Sequence, residues 1–138
     1  MSLSGMFTRL GAPLRNVRWS WGSIRASDGV IFLRVWQDRI QMVNGQLYVK
    51  ISDETLPAYN DLGRMERREH TNLVRNGSPC YLIMCEAADI QATPRAVQSF
   101  NRNEIFQTGE LIQLDGSYWV QLKDRIDANR VIPHNPPV

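Results

Sequence analysis

The side chains best suited to binding chemistry in this 138-residue chain are four tryptophans and an excess of arginines. Of sixteen basic residues only Lys50 and Lys123 are lysines, and fourteen acidic residues oppose them. Arginine is the cation that makes forked hydrogen bonds to phosphates and base edges. Residues 1–39 contain six arginines against two aspartates. This local charge is compatible with a polyanion-binding face, and also with scattered, solvated charge.

Three of the tryptophans lie near these arginines in the sequence. If residues 17–25 form an extended strand, Trp19 and Trp21 lie on one face of it. Arg34 and Trp36 share a face of the apolar segment that follows. Paired as a hairpin, the two segments would form an aromatic wall with a cation beside it. Such a wall can stack a base or hold an apolar ligand, and the alternative is that the tryptophans are core residues.

Side chains capable of catalysis show no diagnostic spacing. The two histidines are not paired as in HExxH, the cysteines do not form CxxC, and nucleotide-binding and hydrolase glycine motifs are absent. We therefore expect no cofactor, no metal and no catalytic activity. An enzyme that uses Cys85, His70 or the pair Asp53 and Glu54 stays open as a further hypothesis.

One group of carboxylates resembles a metal-dependent nuclease site in composition. Asp38, Asp53 and Glu54 together with Lys50 are the residue types that such sites use around divalent ions. Their spacing is not diagnostic, and an Asp-Glu pair directly after a strand is typical of a turn. We interpret Asp53 and Glu54 as turn residues.

The cysteines and the hydropathy pattern bear on location. Cys80 and Cys85 are five residues apart, so along one strand they face opposite sides, which argues against a local disulfide. No apolar run reaches the ~18 residues of a membrane span. We expect a cytoplasmic protein without a membrane partner.

The elements that would position these residues are mainly strands. Three segments pair apolar runs around a turn dipeptide, at Asp28-Gly29, Asn44-Gly45 and Asp115-Gly116. With the apolar run at residues 80–85 they predict about seven strands. That number in so short a chain favours a small closed or partly open β-barrel in a mainly β, α+β fold.

Two helices are predicted beside the strands, all within a single domain over residues 1–138 with its core at about 7–125. The larger is an amphipathic helix over residues 61–75 that stops at Asn76-Gly77. A short second helix is expected at residues 93–100, where threonine precedes proline. The proline-rich tail at residues 129–138 is expected to wrap the surface or fray.

The order of these elements resembles the PUA-like superfamily of pseudobarrels, which includes EVE, ASCH and SRA domains. The resemblance rests on the Trp-Ser-Trp-Gly strand, the strand ending Val-Trp-Gln-Asp at residues 35–38, and the helix that leads through Asn76-Gly77 into the apolar strand at residues 81–86. It covers roughly residues 7–125. The sequence is also similar to reader portions of modification-dependent restriction systems.

This resemblance implies a nucleic-acid-binding reader that accepts a modified or flipped base. The expected partner is DNA rather than RNA, with a nuclease on another chain. The resemblance implies a cage of Trp19, Trp21 and Trp36, base-edge contacts from Ser20 and Asp38, and phosphate contacts from Arg18, Arg34 and Arg39. The alternative is a small-molecule-binding or structural β-barrel whose tryptophans line a cavity or the core.

Overall fold

A computed structural model describes residues 1–133 and shows a mainly β, α+β architecture. Eight strands form one mixed sheet, and two α-helices pack against it. The elements are α1 Leu3–Arg9, β1 Gly22–Ile24, β2 Ile31–Trp36, β3 Ile40–Val43, β4 Gln46–Asp53, α2 Leu62–Arg75, β5 Cys80–Ala87, β6 Val97–Phe100, β7 Glu104–Leu114 and β8 Ser117–Asp127. The 3-10 turns are Gln37–Arg39 and Ala128–Arg130.

The sheet curls without closing into a barrel. Its strand order is β1-β2-β5-β7-β8-β4-β3, with β6 paired to β5, and only β2 and β5 run parallel. Side chains of β2 and β4 nevertheless pack in one core cluster with β5 and β8. The strands β2 and β4, each one strand in from an edge of the sheet, therefore approach each other and leave an open seam between them.

The three turn dipeptides all join antiparallel strands, which confirms the predicted hairpins. Asn44 and Gly45 have φ of 50° and 79°, and Asp115 and Gly116 have φ of 52° and 75°. Positive φ at both central residues is the geometry of a type I′ turn, which matches the right-handed twist of the paired strands. At Asp28-Gly29 the turn closes with a hydrogen bond from the amide of Gly29 to the carbonyl of Arg25.

The first predicted strand is wrong over most of its length. Residues 17–20 form a turn, and β1 begins only at Gly22. Two hydrogen bonds close the turn. The amide of Ser20 donates to the carbonyl of Asn16, and the amide of Asn16 donates to the side-chain hydroxyl of Ser20. Strand alternation therefore does not apply to Trp19 and Trp21.

The short second helix lies near the start of the chain and not at residues 93–100, where it was predicted. Residues 97–100 form β6, an edge strand on β5, rather than a helix. The actual short helix is α1, capped by the Ser2 side chain. Its apolar residues Met6 and Phe7 are fully buried.

The larger helix is confirmed within one residue at its start, because Asp61 accepts from the amide of Arg64 as its N-cap. The orientation of its faces is unexpected. Its buried side is largely polar and contains Gly63, Glu66, Arg67, His70 and Thr71. Leu62 and Met65 are instead about half exposed, at 54% and 46%. The helix docks through hydrogen bonds more than through apolar packing.

Two core clusters lie on the two faces of the central strands. Cys85 belongs to the cluster around α1 and Cys80 to the cluster inside the curl, which confirms that the two thiols face opposite sides. Both are free. Val131 and Ile132 pack against the first cluster, while residues 134–138 of the predicted tail lie outside the described residues. Within residues 1–133 no helix has the length and apolar character needed to cross a membrane.

Candidate functional site

A cavity of about 500 Å³ lies beside the open seam. Its walls come from Trp21 before β1, the ends of β2 and β4, the start of α2 and the loop of residues 88–96. The lining contains two tryptophans, six cations and two carboxylates: Trp21, Trp36, Arg34, Arg39, Lys50, Arg64, Arg67, Arg95, Asp53 and Asp61. We call this feature the tryptophan cavity.

Guanidinium groups and indole rings alternate through the tryptophan cavity. The Cζ of Arg34 lies 5.8 Å from the ring centroid of Trp21 and 5.1 Å from that of Trp36. Arg64 continues the series at 5.9 Å from Trp21, and Arg95 at 5.4 Å from Trp36. These are cation–π distances. Indole faces are also surfaces on which a planar ligand such as a base stacks.

Trp21 is held in place by a close approach to α2. A Cβ atom on Gly63 would lie 2.5 Å from the Trp21 ring and 2.7 Å from the carbonyl oxygen of Trp19. Only glycine lets the first turn of the helix pack this closely against the indole. The position of the ring therefore depends on the docking of α2.

Arg67 joins the two sides of the open seam behind the cavity. Its Nη1 donates to the carbonyl of Ile51 at 2.9 Å, and its Nη2 donates to the carbonyls of Trp21 and Arg34, each at 2.7 Å. Ile51 lies at a register shift between β4 and β8. Burial lowers the pKa of Arg67 to about 9, with a further contribution from the nearby charge of Arg34. One guanidinium thus bridges the seam and fixes the backbone of three residues that line the cavity.

The outer wall is fixed by Arg95. Its guanidinium makes a forked pair with the Asp38 carboxylate, at 2.7 and 2.8 Å, and also donates to the carbonyl of Ile90. The hydrogen bonds from Arg95 hold the pKa of Asp38 below its ordinary value. Because Asp38 is engaged in this pair, its carboxylate anchors the loop of residues 88–96 instead of projecting freely into the tryptophan cavity.

The side chains of two of the six cations have no hydrogen-bond or salt-bridge partner among residues 1–133. Arg67 is bonded to carbonyls, Arg95 is paired with Asp38, and Arg64 lies 3.5 Å from Asp61. Arg39 reaches Asp38 only at 3.8 Å. The side chains of Arg34 and Lys50 make no hydrogen bond and no salt bridge in that part of the chain. Burial lowers the pKa of Arg34, as expected for a cation with no carboxylate beside it.

The structure brings together half of the residues predicted from the sequence. Trp21, Trp36, Arg34 and Arg39 line the tryptophan cavity, and Asp38 stands at its edge. Trp19, Ser20 and Arg18 do not line it. Ser20 is buried, and its hydroxyl donates to Glu66 at 3.3 Å, because the turn at residues 16–20 directs it toward α2. Arg18 is exposed in the same turn.

Sequence reasoning missed four of the lining cations as binding residues: Lys50, Arg64, Arg67 and Arg95. Arg64 and Arg67 are three residues apart on the predicted helix and so share a face, a pattern that was readable. Arg95 follows Pro94 in an irregular loop, where no periodicity points to it.

The groups considered for catalysis are not activated here. Burial raises the pKa of the thiols to about 12 for Cys80 and about 11 for Cys85, which disfavours the nucleophilic thiolate. Burial lowers the pKa of His70 to about 4. Glu54 pairs with Arg68 at 3.0 Å. Within residues 1–133 no three metal-ligating side chains cluster to hold an ion.

Asp53 is the one proposed nuclease carboxylate that lines the tryptophan cavity. Burial opposes its ionisation, but hydrogen bonds from Thr55 and the charges of Lys50 and Arg64 keep its pKa below the ordinary value. It is therefore an ionised acceptor inside a basic cavity.

No protein-family model, no curated protein and no solved structure matches this chain.

Proposed function

We propose that this protein is a nucleic-acid reader that holds one base against Trp21 and Trp36, without catalytic activity of its own. The observation that carries the proposal is the Arg34 guanidinium, which lies over both indoles without an anionic partner among residues 1–133. A base offers a planar ring to the tryptophans, and its phosphates offer negative charge to the free cations. DNA is the proposed polymer, and a separate nuclease is the proposed partner.

The energetics of base capture fit this cavity. Extruding a base from a duplex costs a few kcal/mol, and stacking on an aromatic side chain returns roughly 1–3 kcal/mol per base. The volume of about 500 Å³ lies within the range of ligand sites, roughly 300–1,000 Å³. A flipped nucleotide is therefore matched in size, in stacking surface and in charge.

We also propose that the fold is a PUA-like pseudobarrel. Support comes from the curled mixed sheet, the parallel pairing of β2 with β5, and the helix that bridges the open seam. In this arrangement the seam takes the role of the concave binding face.

The direct test is fluorescence anisotropy with labelled duplex DNA, single-stranded DNA and RNA. Each is offered with cytosine, 5-methylcytosine or 5-hydroxymethylcytosine at two salt concentrations. We expect binding that weakens as salt rises and that distinguishes at least one of these bases. Absence of binding at the lower salt would exclude the reader function.

Two variants locate that binding in the tryptophan cavity. Trp36→Leu keeps an apolar side chain but removes the stacking surface, so base discrimination should disappear while the fold persists. Lys123→Gln, on the exposed part of β8, is the control that removes a cation elsewhere. Equal effects of the two variants would place binding outside the cavity.

The second candidate is a small-molecule-binding protein that uses the same cavity, and it is favoured by the cavity's size. Binding of free nucleotides or other aromatic anions, with no binding of any polymer, would select this function. Unfolding of Trp36→Leu, seen by circular dichroism, would instead assign Trp36 to the core cluster that it contacts.

A further inference from the structure

The tryptophan cavity is continuous with a second concave surface. A groove of about 350 Å³ is lined by Trp119, Ser117, Leu114 and the turn residue Asp115, and it shares Lys50 and Arg39 with the cavity. Lys50 and Arg39 therefore form a wall with one side toward the cavity and the other toward the groove. We call this second surface the Trp119 groove.

We infer that Lys50 binds the phosphodiester that links a nucleotide in the tryptophan cavity to its neighbour in the Trp119 groove. The site would then take two consecutive nucleotides of a strand rather than an isolated base. This inference rests on the proposed function, and it names the part of the ligand that lies beyond the stacked base.

The position of Lys50 supports this role. Its Nζ lies 5.4 Å from the ring centroid of Trp119, which directs the ammonium toward the groove. It also lies near enough to Asp53, on the cavity side, to favour that carboxylate's ionised form. The Lys50 side chain makes no hydrogen bond or salt bridge to any residue in 1–133, so its three donors are free for a ligand.

The charges around the wall leave room for an anion. Asp38 lines the Trp119 groove, but Arg95 already holds both of its oxygens. Asp115 is exposed on the turn between β7 and β8. The linings of the cavity and the groove together hold six cations against four carboxylates, those of Asp38, Asp53, Asp61 and Asp115, so their net charge is positive and favours an anion.

The covalent structure of a strand requires a phosphate at this place. Consecutive nucleosides are joined only through phosphodiesters, so a base in the cavity with its neighbour in the groove places their linkage at the shared wall. Trp119 offers the groove only part of its ring, because it is 7% exposed and its Nε1 donates to the carbonyl of Leu114 at 3.2 Å. The neighbouring base would thus be held loosely, and the linkage itself would supply most of the additional binding.

The test is a double-mutant cycle between Lys50 and the linkage. The probe is a labelled single strand in which only two adjacent cytosines carry bases and all other positions are abasic. The phosphate between the cytosines is replaced by a neutral methylphosphonate. With the wild-type protein we expect the replacement to weaken binding about tenfold, and Lys50→Gln to weaken binding of the unmodified strand by a similar factor. With both changes we expect no further loss, because each removes the same contact.

The chain offers a matched control, since Lys123 is its other lysine and lies exposed on β8. In Lys123→Gln the methylphosphonate should still weaken binding about tenfold. If the methylphosphonate weakens binding to Lys50→Gln as strongly as it weakens binding to the wild-type protein, Lys50 does not bind this linkage. The inference is then overturned while the reader function stands. If the wild-type protein binds neither probe nor any natural strand, the proposed function fails as well.

Discussion

Replacement of Arg67 by methionine tests how the open seam is held. Arg67 is buried, at 6% exposure, and connects Ile51 on one side of the open seam with Trp21 and Arg34 on the other. Methionine keeps an unbranched side chain and removes the charge and all five donors. The variant therefore removes the bridge with little change in shape.

The expected cost follows from three hydrogen bonds and one buried charge. Hydrogen bonds from a charged donor contribute about 1.5–3 kcal/mol each, so the three sum to about 5 kcal/mol at the lower end. Burying the guanidinium opposes this, and its Nε has no partner among the described residues. The net loss on Arg67→Met should be about 3 kcal/mol, because the carbonyls stay buried while the cost of burying a charge is recovered.

Urea unfolding, followed by tryptophan fluorescence and by circular dichroism, measures this loss directly. Arg64→Met is the matched control, because Arg64 lies one turn earlier on α2 and has an ion pair with the partly exposed Asp61 and a cation–π contact with Trp21, but no bond across the seam. Its loss should stay below about 1 kcal/mol. If Arg67→Met lost less than about 1 kcal/mol, or no more than the control, the seam would not depend on this bridge.

Three further predictions concern the site and its support. Gly63→Ala should displace Trp21 and destabilise the protein by about 1–3 kcal/mol, because the new methyl group overlaps the indole; an unchanged thermal midpoint and fluorescence spectrum would contradict the packing described. His70 is neutral in the fold with a pKa of about 4, so the unfolded chain takes up its proton first and stability is lost as the pH falls from about 6.5 to 4. In His70→Gln the urea midpoint should therefore fall less between these two pH values than in the wild type. An equally steep fall of the midpoint in both proteins would contradict this role of His70. Arg34→Gln should reduce the salt slope of nucleic-acid binding by about one unit, because one phosphate contact is lost. The control Arg130→Gln changes an exposed arginine on the last 3-10 turn and should leave the slope unchanged. Equal slopes for the wild type and both variants would remove Arg34 from the phosphate contacts.

The parts of the fold that were predictable are those determined by local backbone chemistry. The turns at Asn44-Gly45 and Asp115-Gly116 require positive φ, and asparagine, aspartate and glycine are the residues that tolerate it. The Asn76-Gly77 stop likewise ended α2 correctly, and the predicted start at Asp61 is one residue early because Asp61 is the N-cap. Each of these signals acts over a few residues and does not depend on tertiary contacts.

The short helices were misplaced for a related reason. In α1, apolar residues at positions 3, 6, 7 and 10 follow a serine cap, so a helical spacing was present in the sequence. Residues 97–100 have no strong pattern of their own. They become a strand because they pair with the end of β5, beyond the residues of β5 that pair with β7. Pairing with a distant strand overrides weak local preference.

The candidate site was predictable only in part, because long-range contacts assemble it. Trp36 and Arg34 share a face of β2, and that alternation could be read from the sequence. Trp21 reaches the same cavity by packing against Gly63 of α2. The role of Arg67 was hidden, because an arginine on a helix is normally expected to face water and here it enters the seam.

The polar interface of α2 has a thermal consequence. Unfolding of apolar surface raises the heat capacity, by roughly 0.45 cal/mol/K per Å², whereas exposure of polar surface lowers it. The buried side of α2 is dominated by Glu66, Arg67, His70 and Thr71, so release of this helix carries a small heat-capacity change compared with release of the cores around Phe7 or Val120. Apolar cores weaken on cooling, but the attachment of α2 does not share that weakness. On cooling, the seam should therefore lose less of its stabilisation than the apolar cores lose of theirs.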